Sequence, residues 1–436
     1  MIMCTDIDRI AELAREDPKR QFYSIAHLMT VEKLYEAFRS LRKNASAGID
    51  GVTYAEYATN AEENVRQLHR RLVAGKYQVQ PLRRVFIPKE NGKQRPISIP
   101  SLEDKIVQKV VVDLMNAIYE QDFLDCSYGF RPGRGQHQAL DEVGRVICTR
   151  PTGWILELDI QSYFDKIVRS ILIEMVEKRV SDGSVLRLIQ KWIKVGVIEG
   201  SKLLVSETGT GQGQPISPLL ANIYLHHVLD VWFEEVVKPR LKGEAYEVRF
   251  ADDAILCFQH KEDAEKVRSV LPKRFEKYGL TLHPEKTRLI EFGRNAARNA
   301  KEQGKRPETF DFLGFKHVCA RSRKGKFAVH GRTIAKRLRR GLKAVTGWCK
   351  QHRHEPVGQQ QKALNAKLRG HYQYYGRPTN YRSIWQFYRR VRRIWREWLG
   401  RRTRGRPLKW ERYQAILRQY PLLLPRIMHS WASTGK

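Results

Sequence analysis

Two short apolar stretches that meet at a pair of aspartates constrain the fold of this chain more than any other feature. Residues 247–250 and 254–258 have strand-forming character, and only Ala251-Asp252-Asp253 separates them. Two strands joined by so short a turn predict a β-hairpin. A third stretch, 154–160, also predicts a strand and carries Asp159 near its end. If these strands pair, all three carboxylates lie at one edge of a sheet.

Carboxylates gathered at one sheet edge are suited to holding divalent cations. Phosphoryl transfer to a nucleotide uses two such ions about 3.5–4 Å apart, and hard Mg²⁺ prefers oxygen ligands. A purely structural turn remains the alternative for Asp252 and Asp253, because Asp is a favoured turn residue. Both predicted carboxylate positions lie at the edges of apolar strands, which favours the metal-binding interpretation.

Positive charge is concentrated in the C-terminal third. The chain of 436 residues contains 80 Lys and Arg against 47 Asp and Glu, a net charge of +33. Residues 316–436 hold 32 of the basic residues but only three of the acidic ones, together with six of the nine Trp. Such a field attracts polyanions, and nucleic acid is the commonest of them. Composition therefore divides the chain near residues 312–315.

One stretch of this basic third has the pattern of an amphipathic helix. Apolar residues recur at helical spacing from Ile384 to Trp398, and arginines fill the gaps between them. Most of the aromatic residues in this stretch are expected to be core. The predicted nucleic-acid-binding face consists of Arg389, Arg390, Arg392, Arg393 and Arg396.

Cysteine usage and the N-terminal residues indicate a cytoplasmic protein. The six cysteines form no Cys-x-x-Cys pair, so a zinc site is not expected, and isolated thiols fit a reducing compartment. Residues 1–19 carry acidic side chains and lack the apolar core of a signal peptide. No apolar run is long enough to cross a bilayer, so no membrane partner is expected.

Several separate motifs, in order and at matching spacing, resemble the reverse transcriptases encoded by bacterial group II introns, the maturases. The resemblance extends from about residue 30 to the C-terminus. The motifs are Ala47-Gly48-Ile49-Asp50-Gly51, Arg84-Val85-Phe86-Ile87-Pro88-Lys89, Arg95-Pro96-Ile97-Ser98-Ile99-Pro100, Tyr128-Gly129-Phe130-Arg131-Pro132-Gly133-Arg134, Leu282-His283-Pro284-Glu285-Lys286-Thr287, Phe312-Leu313-Gly314-Phe315 and Leu368-Arg369-Gly370-His371-Tyr372.

The resemblance implies an α+β fold of the right-hand polymerase type. Fingers and an α/β palm with an antiparallel sheet would be followed by an α-helical thumb or maturase domain. The boundaries expected are an N-terminal extension at 1–70, fingers and palm at 71–295, a flexible connector at 296–311, the helical thumb at 312–402 and a basic tail at 403–436.

The same resemblance implies roles for individual residues. The metal ligands and catalytic residues would be Asp159, Asp252 and Asp253, with the backbone carbonyl of Ile160 completing a shell for two Mg²⁺ ions that Mn²⁺ can replace. Phe164 would be the steric gate that rejects a 2′-hydroxyl. The remaining substrate-binding residues would be Lys89, Arg95, Gln212, Gly213 and Lys286.

Three positions depart from the family pattern. Phe250 stands where a tyrosine commonly precedes the Ala-Asp-Asp turn, which removes a hydroxyl but no metal ligand. In the loop at 209–218, Gly211 replaces a common proline and Gln214 a common glycine. Catalysis is expected to be retained, whereas the effect of these departures on efficiency and fidelity is left open.

The function implied is RNA-directed DNA synthesis. The protein would extend a DNA or RNA primer on an RNA template with deoxynucleoside triphosphates, and would bind structured intron RNA to assist splicing and retrohoming. Two alternatives remain: a reverse transcriptase recruited to another task such as phage defence, and an RNA-binding splicing factor that does not copy. The three aspartates count against the second alternative.

Overall fold

The computed structural model describes residues 7–88, 94–199, 202–204, 208–402 and 408–430. The strands are β1 (Leu82–Pro88), β2 (Gln94–Ile99), β3 (Trp154–Leu158), β4 (Val197–Glu199), β5 (Lys202–Leu204), β6 (Ala245–Phe250), β7 (Asp253–Phe258), β8 (Leu289–Glu291), β9 (Phe310–Phe312), β10 (Phe315–Arg321) and β11 (Phe327–Thr333). The helices are α1 (Ile7–Glu16), α2 (Val31–Ser40), α3 (Tyr54–Ala58), α4 (Ala61–Val73), α5 (Leu102–Asp122), α6 (Gln136–Thr149), α7 (Tyr163–Lys166), α8 (Arg169–Glu177), α9 (Gly183–Lys194), α10 (Ser217–Leu225), α11 (Lys261–Glu276), α12 (Arg294–Glu302), α13 (Ala335–Gln351), α14 (Val357–Tyr375), α15 (Tyr381–Gly400) and α16 (Trp410–Gln419).

The chain forms two compact units. The first comprises the described residues as far as Ala139, together with Leu156–Leu256 and His260–Leu289. The second comprises Leu140–Ile155, Cys257–Gln259 and the described residues from Ile290 onward. The basic C-terminal third therefore folds with an upstream stretch that composition does not single out. The domain boundaries expected from the sequence remain predictions.

The predicted hairpin and its neighbouring strand form part of one four-stranded sheet. Its strand order is β6-β7-β3-β8, so β7 lies between its hairpin partner and β3. Five of the six residues of β7 and four of the five of β3 are buried. Strands covered on both faces are apolar almost continuously rather than in alternation, which explains the composition of these two stretches.

A second four-stranded sheet, in the order β2-β1-β4-β5, carries the first family-like strand motifs. β1 and β2 pair antiparallel with Ile87 opposite Arg95, and β1 pairs with β4 in parallel. Side chains in the outer half of β1 are exposed, including Phe86 and Ile87. A mixed α/β body with antiparallel strand pairs agrees with the predicted fold class.

The second unit combines an antiparallel sheet, β11-β10-β9, with four long or medium helices, α13 to α16. The predicted amphipathic helix is confirmed as α15, whose apolar residues join a core centred on Trp395. Trp395 is fully buried, and its indole N–H donates to Gln360 Oε1 at 3.0 Å. The segment 296–311, expected as a flexible connector, is not irregular throughout, because its residues as far as Glu302 belong to the helix α12.

No helix within the described ranges is both long enough and apolar enough to span a bilayer.

Candidate active site

Asp159 and Asp252 lie on neighbouring strands, as the sequence predicts. Asp159 directly follows β3, Asp252 lies in the turn between β6 and β7, and Asp253 is the first residue of β7. Because β7 and β3 are hydrogen-bonded neighbours, these residues share one region of the sheet. Asp252 is half-buried and Asp253 is exposed. All three positions belong to the first unit.

The carboxyl group of Asp252 lies in an environment that alters its pKa. Burial raises the pKa of Asp252 above its ordinary value, and the nearby Asp159 carboxylate raises it further. The guanidinium groups of Arg95 and Arg249 act in the opposite direction and lower the pKa of Asp252. A site that crowds two carboxylates in this way is stabilised by a bound cation.

The turn that carries Asp252 has a backbone conformation that must be held in place. Ala251 has φ = 56°, in the left-handed region that residues with a side chain seldom occupy. Gly129 packs directly against it, since a Cβ at position 129 would lie 2.3 Å from the Ala251 nitrogen. The glycine of the Tyr-Gly-Phe-Arg motif is therefore required by this close approach.

A buried arginine supports the same turn. Arg249 has no exposure to solvent and donates to both carboxylate oxygens of Asp230, at 2.7 and 2.5 Å. It also donates to the Ala251 carbonyl at 3.0 Å and to Asn222 Oδ1 at 3.2 Å. Asn222 in turn donates to the Gly129 carbonyl at 2.6 Å. This network connects the turn to α10, which contains Asn222, and to the helical stretch after it, which contains Asp230.

No sequence pattern predicts the Arg249 network. The one visible signal is an arginine between two apolar strand residues, Val248 and Phe250. The partner, Asp230, lies in a π-helical stretch, His226–Asp230, that continues α10. Such stretches are rare and have no reliable sequence signature, although they are frequent at functional sites.

Lys286 of the His-Pro-Glu-Lys motif lies at the carboxylates. Its Nζ is 2.9 Å from Asp159 Oδ2, and the side chains of Lys286 and Asp159 are 59% and 30% exposed. The backbone on this side is fixed because the His283 N–H donates to the Asp159 carbonyl at 2.8 Å. Ile160 is buried and forms an antiparallel bridge with Leu282. The backbone at Asp159 and Ile160 is therefore fixed by its pairing with residues 282 and 283.

These groups fit a divalent cation. The donor set consists of hard carboxylate oxygens, which are the ligands that Mg²⁺ and similar ions prefer. An ammonium group already lies against Asp159, and two guanidinium groups lower the pKa of Asp252, so the site is built to attract positive charge. Asp253 has the same chemistry and an exposed side chain one residue further along the chain.

The predicted sugar gate and the nucleotide-side loop are joined through their backbones. The Thr210 N–H donates to the Phe164 carbonyl at 2.8 Å, and the Ser98 N–H donates to the Gln212 carbonyl at 2.6 Å. Gly213 has φ = 114°, and a Cβ there would lie 2.6 Å from the Ser98 oxygen. Phe164, Gln212 and Gly213 are thus brought together, and the Phe164 side chain is half-buried rather than core.

Of the two predicted triphosphate ligands, Arg95 is exposed on β2. Its positive charge lowers the pKa of the Asp252 carboxyl, so Arg95 lies near that turn. The other residue, Lys89, lies outside the described residues.

The two departures in the loop at 209–218 compensate for each other. Gln214 is buried, accepts from Gln108 Nε2 at 2.9 Å and donates to the Trp192 carbonyl at 3.1 Å. A Cβ added at Gly211 would lie 2.9 Å from Gln214 Nε2 and 2.8 Å from Leu82 Cδ1. The glutamine therefore fills space that a larger residue at 211 would need, and it ties the loop to α5 and α9.

The predicted cationic face of α15 is confirmed only in part as a solvent-facing surface. Arg389, Arg390 and Arg393 are exposed. Arg392 and Arg396 are half-buried, with their guanidinium carbons 5.0 and 4.9 Å from the centroid of the Trp410 ring. Two of the five arginines therefore pack on α16. The free cationic face consists of Arg389, Arg390 and Arg393, and this name is kept below.

Comparison with known families finds one match to this part of the chain. Residues 87–317 match the family described as "Reverse transcriptase (RNA-dependent DNA polymerase)". This range contains every candidate site residue named above in the first unit. It also extends into the second unit as far as β10.

Similar curated proteins include several whose names refer to introns. Protein YkfC of Escherichia coli is 37% identical over 250 residues, which cover 56% of this chain and 64% of that protein. The group II intron-encoded protein LtrA of Lactococcus lactis is 34% identical over 224 residues, covering 51% and 37%. A nuclear intron maturase of Arabidopsis thaliana is 28% identical over 116 residues, covering 26% and 16%. The matches thus span less than two thirds of each relative.

Proposed function

Because this chain belongs to the reverse transcriptase (RNA-dependent DNA polymerase) family, we propose that it copies an RNA template into DNA. The primer, of DNA or RNA, is extended with deoxynucleoside triphosphates. The observation that carries the proposal is the placement of Asp159 and Asp252 at neighbouring strand ends, close enough for one carboxylate to raise the pKa of the other. Two carboxylates brought together in this way are what two-metal nucleotidyl transfer requires.

In the proposed reaction the 3′-hydroxyl of the primer attacks the α-phosphorus of the nucleotide, a new phosphodiester bond forms and pyrophosphate leaves. Two Mg²⁺ ions, or Mn²⁺ in their place, would stabilise the charge that develops and lower the pKa of the attacking hydroxyl. Asp159, Asp252 and Asp253, with the Ile160 carbonyl, would hold these ions. Rigid strand ends keep the carboxylates in position and cost no reorganisation during the reaction.

The surrounding residues bind and orient the nucleotide. Arg95, Lys286 and Lys89 supply positive charge for the triphosphate, in the form of charge-assisted hydrogen bonds. Lys286 contacts Asp159 in the free protein, so it lies within reach of the site. Phe164 lies against the sugar and excludes a 2′-hydroxyl, while Gln212 and Gly213 line the nucleotide side of the loop.

Substitution of the carboxylates tests the polymerase proposal. Asp252→Asn or Asp159→Asn is expected to abolish extension of a DNA primer on an RNA template in the presence of Mg²⁺. Affinity for the primer–template, measured by filter binding, should stay within a few-fold because neither residue is required to bind the backbone. Extension at the wild-type rate by either variant would falsify the assignment of the metal ligands.

A second function, assistance in splicing of an intron RNA and in its retrohoming, is supported by the relatives that are named as intron-encoded proteins or intron maturases. The free cationic face on α15 offers a surface for a structured RNA. A polymerase recruited to a task without an intron is the competing possibility, since a fold can serve several functions.

Separation of the two functions tests the second one. Asp253→Asn is expected to eliminate DNA synthesis and yet to promote splicing of the cognate intron at low Mg²⁺, because RNA binding needs no carboxylate. A folded variant that loses both activities would show that splicing depends on the catalytic site. Failure of the wild-type protein to promote splicing of any intron that flanks its gene would favour the recruited polymerase.

A further inference from the structure

Phe130 combines two features that a side chain serving only the fold does not need. Its backbone has φ = 56°, in the left-handed region that is sterically unfavourable for an aromatic residue. Its side chain is 55% exposed, so the strain is not repaid by burial in a core. Backbone strain of this kind persists where the surroundings impose it, and it is concentrated at functional sites.

The residues on both sides of Phe130 impose this conformation. Gly129, before it, packs on the Ala251 backbone and accepts a hydrogen bond from Asn222 at 2.6 Å. Arg131, after it, is buried and donates to the carbonyls of Leu124 and Ser127 at 2.7 and 2.8 Å. Arg131 also forms an ion pair with Glu120 at 3.0 Å. Neither neighbour can move to relieve the strain, so the ring of Phe130 is held outside the core.

The ring is held beside the aspartate turn. Its centroid is 6.3 Å from that of Phe250, which directly precedes Ala251 and Asp252. The residue before Phe130 is in van der Waals contact with the same turn. An exposed aromatic surface is therefore fixed beside Phe250 and the turn that carries Asp252.

We propose that Phe130 binds the 3′-terminal nucleotide of the primer and positions its hydroxyl at the Asp252 turn. This inference rests on the proposed function, since only a polymerase requires a strand end there. The chemistry is suitable because every base and sugar presents an apolar face on which an aromatic ring can pack, whatever the sequence. Phe250, which lacks the hydroxyl of the commoner tyrosine, extends the same apolar surface.

The experiment uses the full chain, a DNA primer annealed to an RNA template, and the variants Phe130→Ala, Phe130→Gly and Phe130→Tyr. Loss of one base-stacking contact predicts a rise in KM for primer–template of roughly 5- to 150-fold for the Ala and Gly variants. KM for the nucleotide should stay within about twofold, since stacking on the primer end is the contact removed. Phe130→Tyr keeps the ring and should behave as the wild type. Tyr23→Ala, which removes another exposed ring from the first unit, is the matched control.

Stability measurements separate this role from a structural one. Phe130→Gly relieves the left-handed strain, so its melting temperature is expected to equal or exceed that of the wild type while primer binding weakens. Unchanged KM for primer–template in both the Ala and Gly variants overturns the proposal. A rise in KM for the nucleotide alone also overturns it, because the ring would then belong to the nucleotide side.

A binding signal makes the inference independent of catalysis. A primer with 2-aminopurine as its 3′-terminal base is expected to change fluorescence on binding to the wild type, and much less on binding to Phe130→Gly. An identical change in both proteins counts against Phe130. If the wild-type protein does not extend primers but the signal still depends on Phe130, the polymerase proposal fails and the binding site stands.

Discussion

Arg249 and Asp230 form a fully buried ion pair, and its removal has an expected cost. Both side chains have no exposure, and their closest atoms are 2.5 Å apart. Asp230→Ala removes the bidentate carboxylate partner of a buried guanidinium and should lower the free energy of unfolding by about 3–5 kcal/mol. The measurement is urea unfolding followed by a spectroscopic probe.

The double variant Arg249→Met/Asp230→Leu provides the control for this pair. Two apolar residues of similar size remove both charges of the pair, so the double variant should be more stable than Asp230→Ala. Its primer extension should nevertheless fall, because the Ala251 carbonyl loses its donor. A double variant as unstable as Asp230→Ala would mean that packing, rather than charge, accounts for the loss.

Phe164→Val is expected to weaken discrimination between sugars. The half-buried ring is replaced by a smaller side chain, which opens space for a 2′-hydroxyl. Ribonucleotide incorporation relative to deoxynucleotide should rise about 10- to 100-fold, the range for a change in one steric contact. Competition of the two nucleotides on one template measures the ratio. If the ratio is unchanged while extension continues, Phe164 is only a packing residue.

Local patterns and the family resemblance together predicted the residues that carry the proposed chemistry, but not the residues that support them. Asp159 and Asp252 lie at the edges of apolar strands, a pattern visible within a few positions of the chain, whereas the role of Phe164 came from the resemblance. The Arg249–Asp230 pair joins separate elements through a π-helical stretch, so no local pattern indicates it. The exposure and strain of Phe130 depend in the same way on contacts made by Gly129 and Arg131.

At the scale of elements, the faces of α15 should contribute separately to binding and stability. Replacement of the free cationic face by Arg389→Gln, Arg390→Gln and Arg393→Gln should flatten the dependence of log K on log salt by roughly 2–3 units. Affinity should fall to a similar extent on different sequences, because phosphates are contacted rather than bases. A salt titration of binding to an RNA–DNA hybrid measures the slope.

Two comparisons make this test specific to the exposed face. Arg392→Gln/Arg396→Gln removes the two guanidinium groups that lie on Trp410. This variant should lower the melting temperature and should change the salt dependence of binding less than the triple variant does. Trp395→Ala removes a fully buried ring and should cost about 3–5 kcal/mol of stability. An unaltered slope in the triple variant would move the nucleic-acid track to another part of the basic third.

Helical periodicity predicted α15 well, because an apolar stripe at helical spacing has no other simple explanation. The same spacing is present in α11, whose buried apolar residues are Ala264, Val267, Leu271 and Phe275. The inward-packed positions of Arg392 and Arg396 could not be predicted, since they depend on Trp410 of another helix. Four of the five aromatic residues between Ile384 and Trp398 are buried, as expected, and the fifth, Trp385, is 39% exposed.

At the scale of the whole molecule, mild acid is expected to destabilise the protein. Burial lowers the pKa of His317 to about 3 and that of His226 to about 4. An unfolded histidine titrates near 6.5, so below this pH the unfolded chain binds protons that the folded chain does not. The free energy of unfolding is therefore highest above pH 6.5. It falls as the pH drops below that value, by about 2 kcal/mol per histidine at pH 5.

Melting curves between pH 7.5 and roughly pH 5 test this, with His317→Phe as the comparison. Phenylalanine keeps a ring that can stack on Phe310, as His317 does with a centroid separation of 4.6 Å, but it cannot titrate. The variant should lose part of the acid sensitivity of the wild type. An identical pH dependence in both proteins would exclude His317 as a source of it.

The second unit takes in residues 140–155, and this has a consequence for synthesis of the chain on the ribosome. Val143, Val146 and Ile147 are at most 2% exposed, and Asp141 forms an ion pair with Arg377 within that unit. These residues leave the ribosome about 135 residues before the main part of the unit begins at Ile290, which at typical translation speeds is a wait of roughly 7–27 s. A nascent chain must keep this apolar stretch from aggregating meanwhile. A C-terminal fragment that begins at Ile290 would lack residues 140–155 of its own unit.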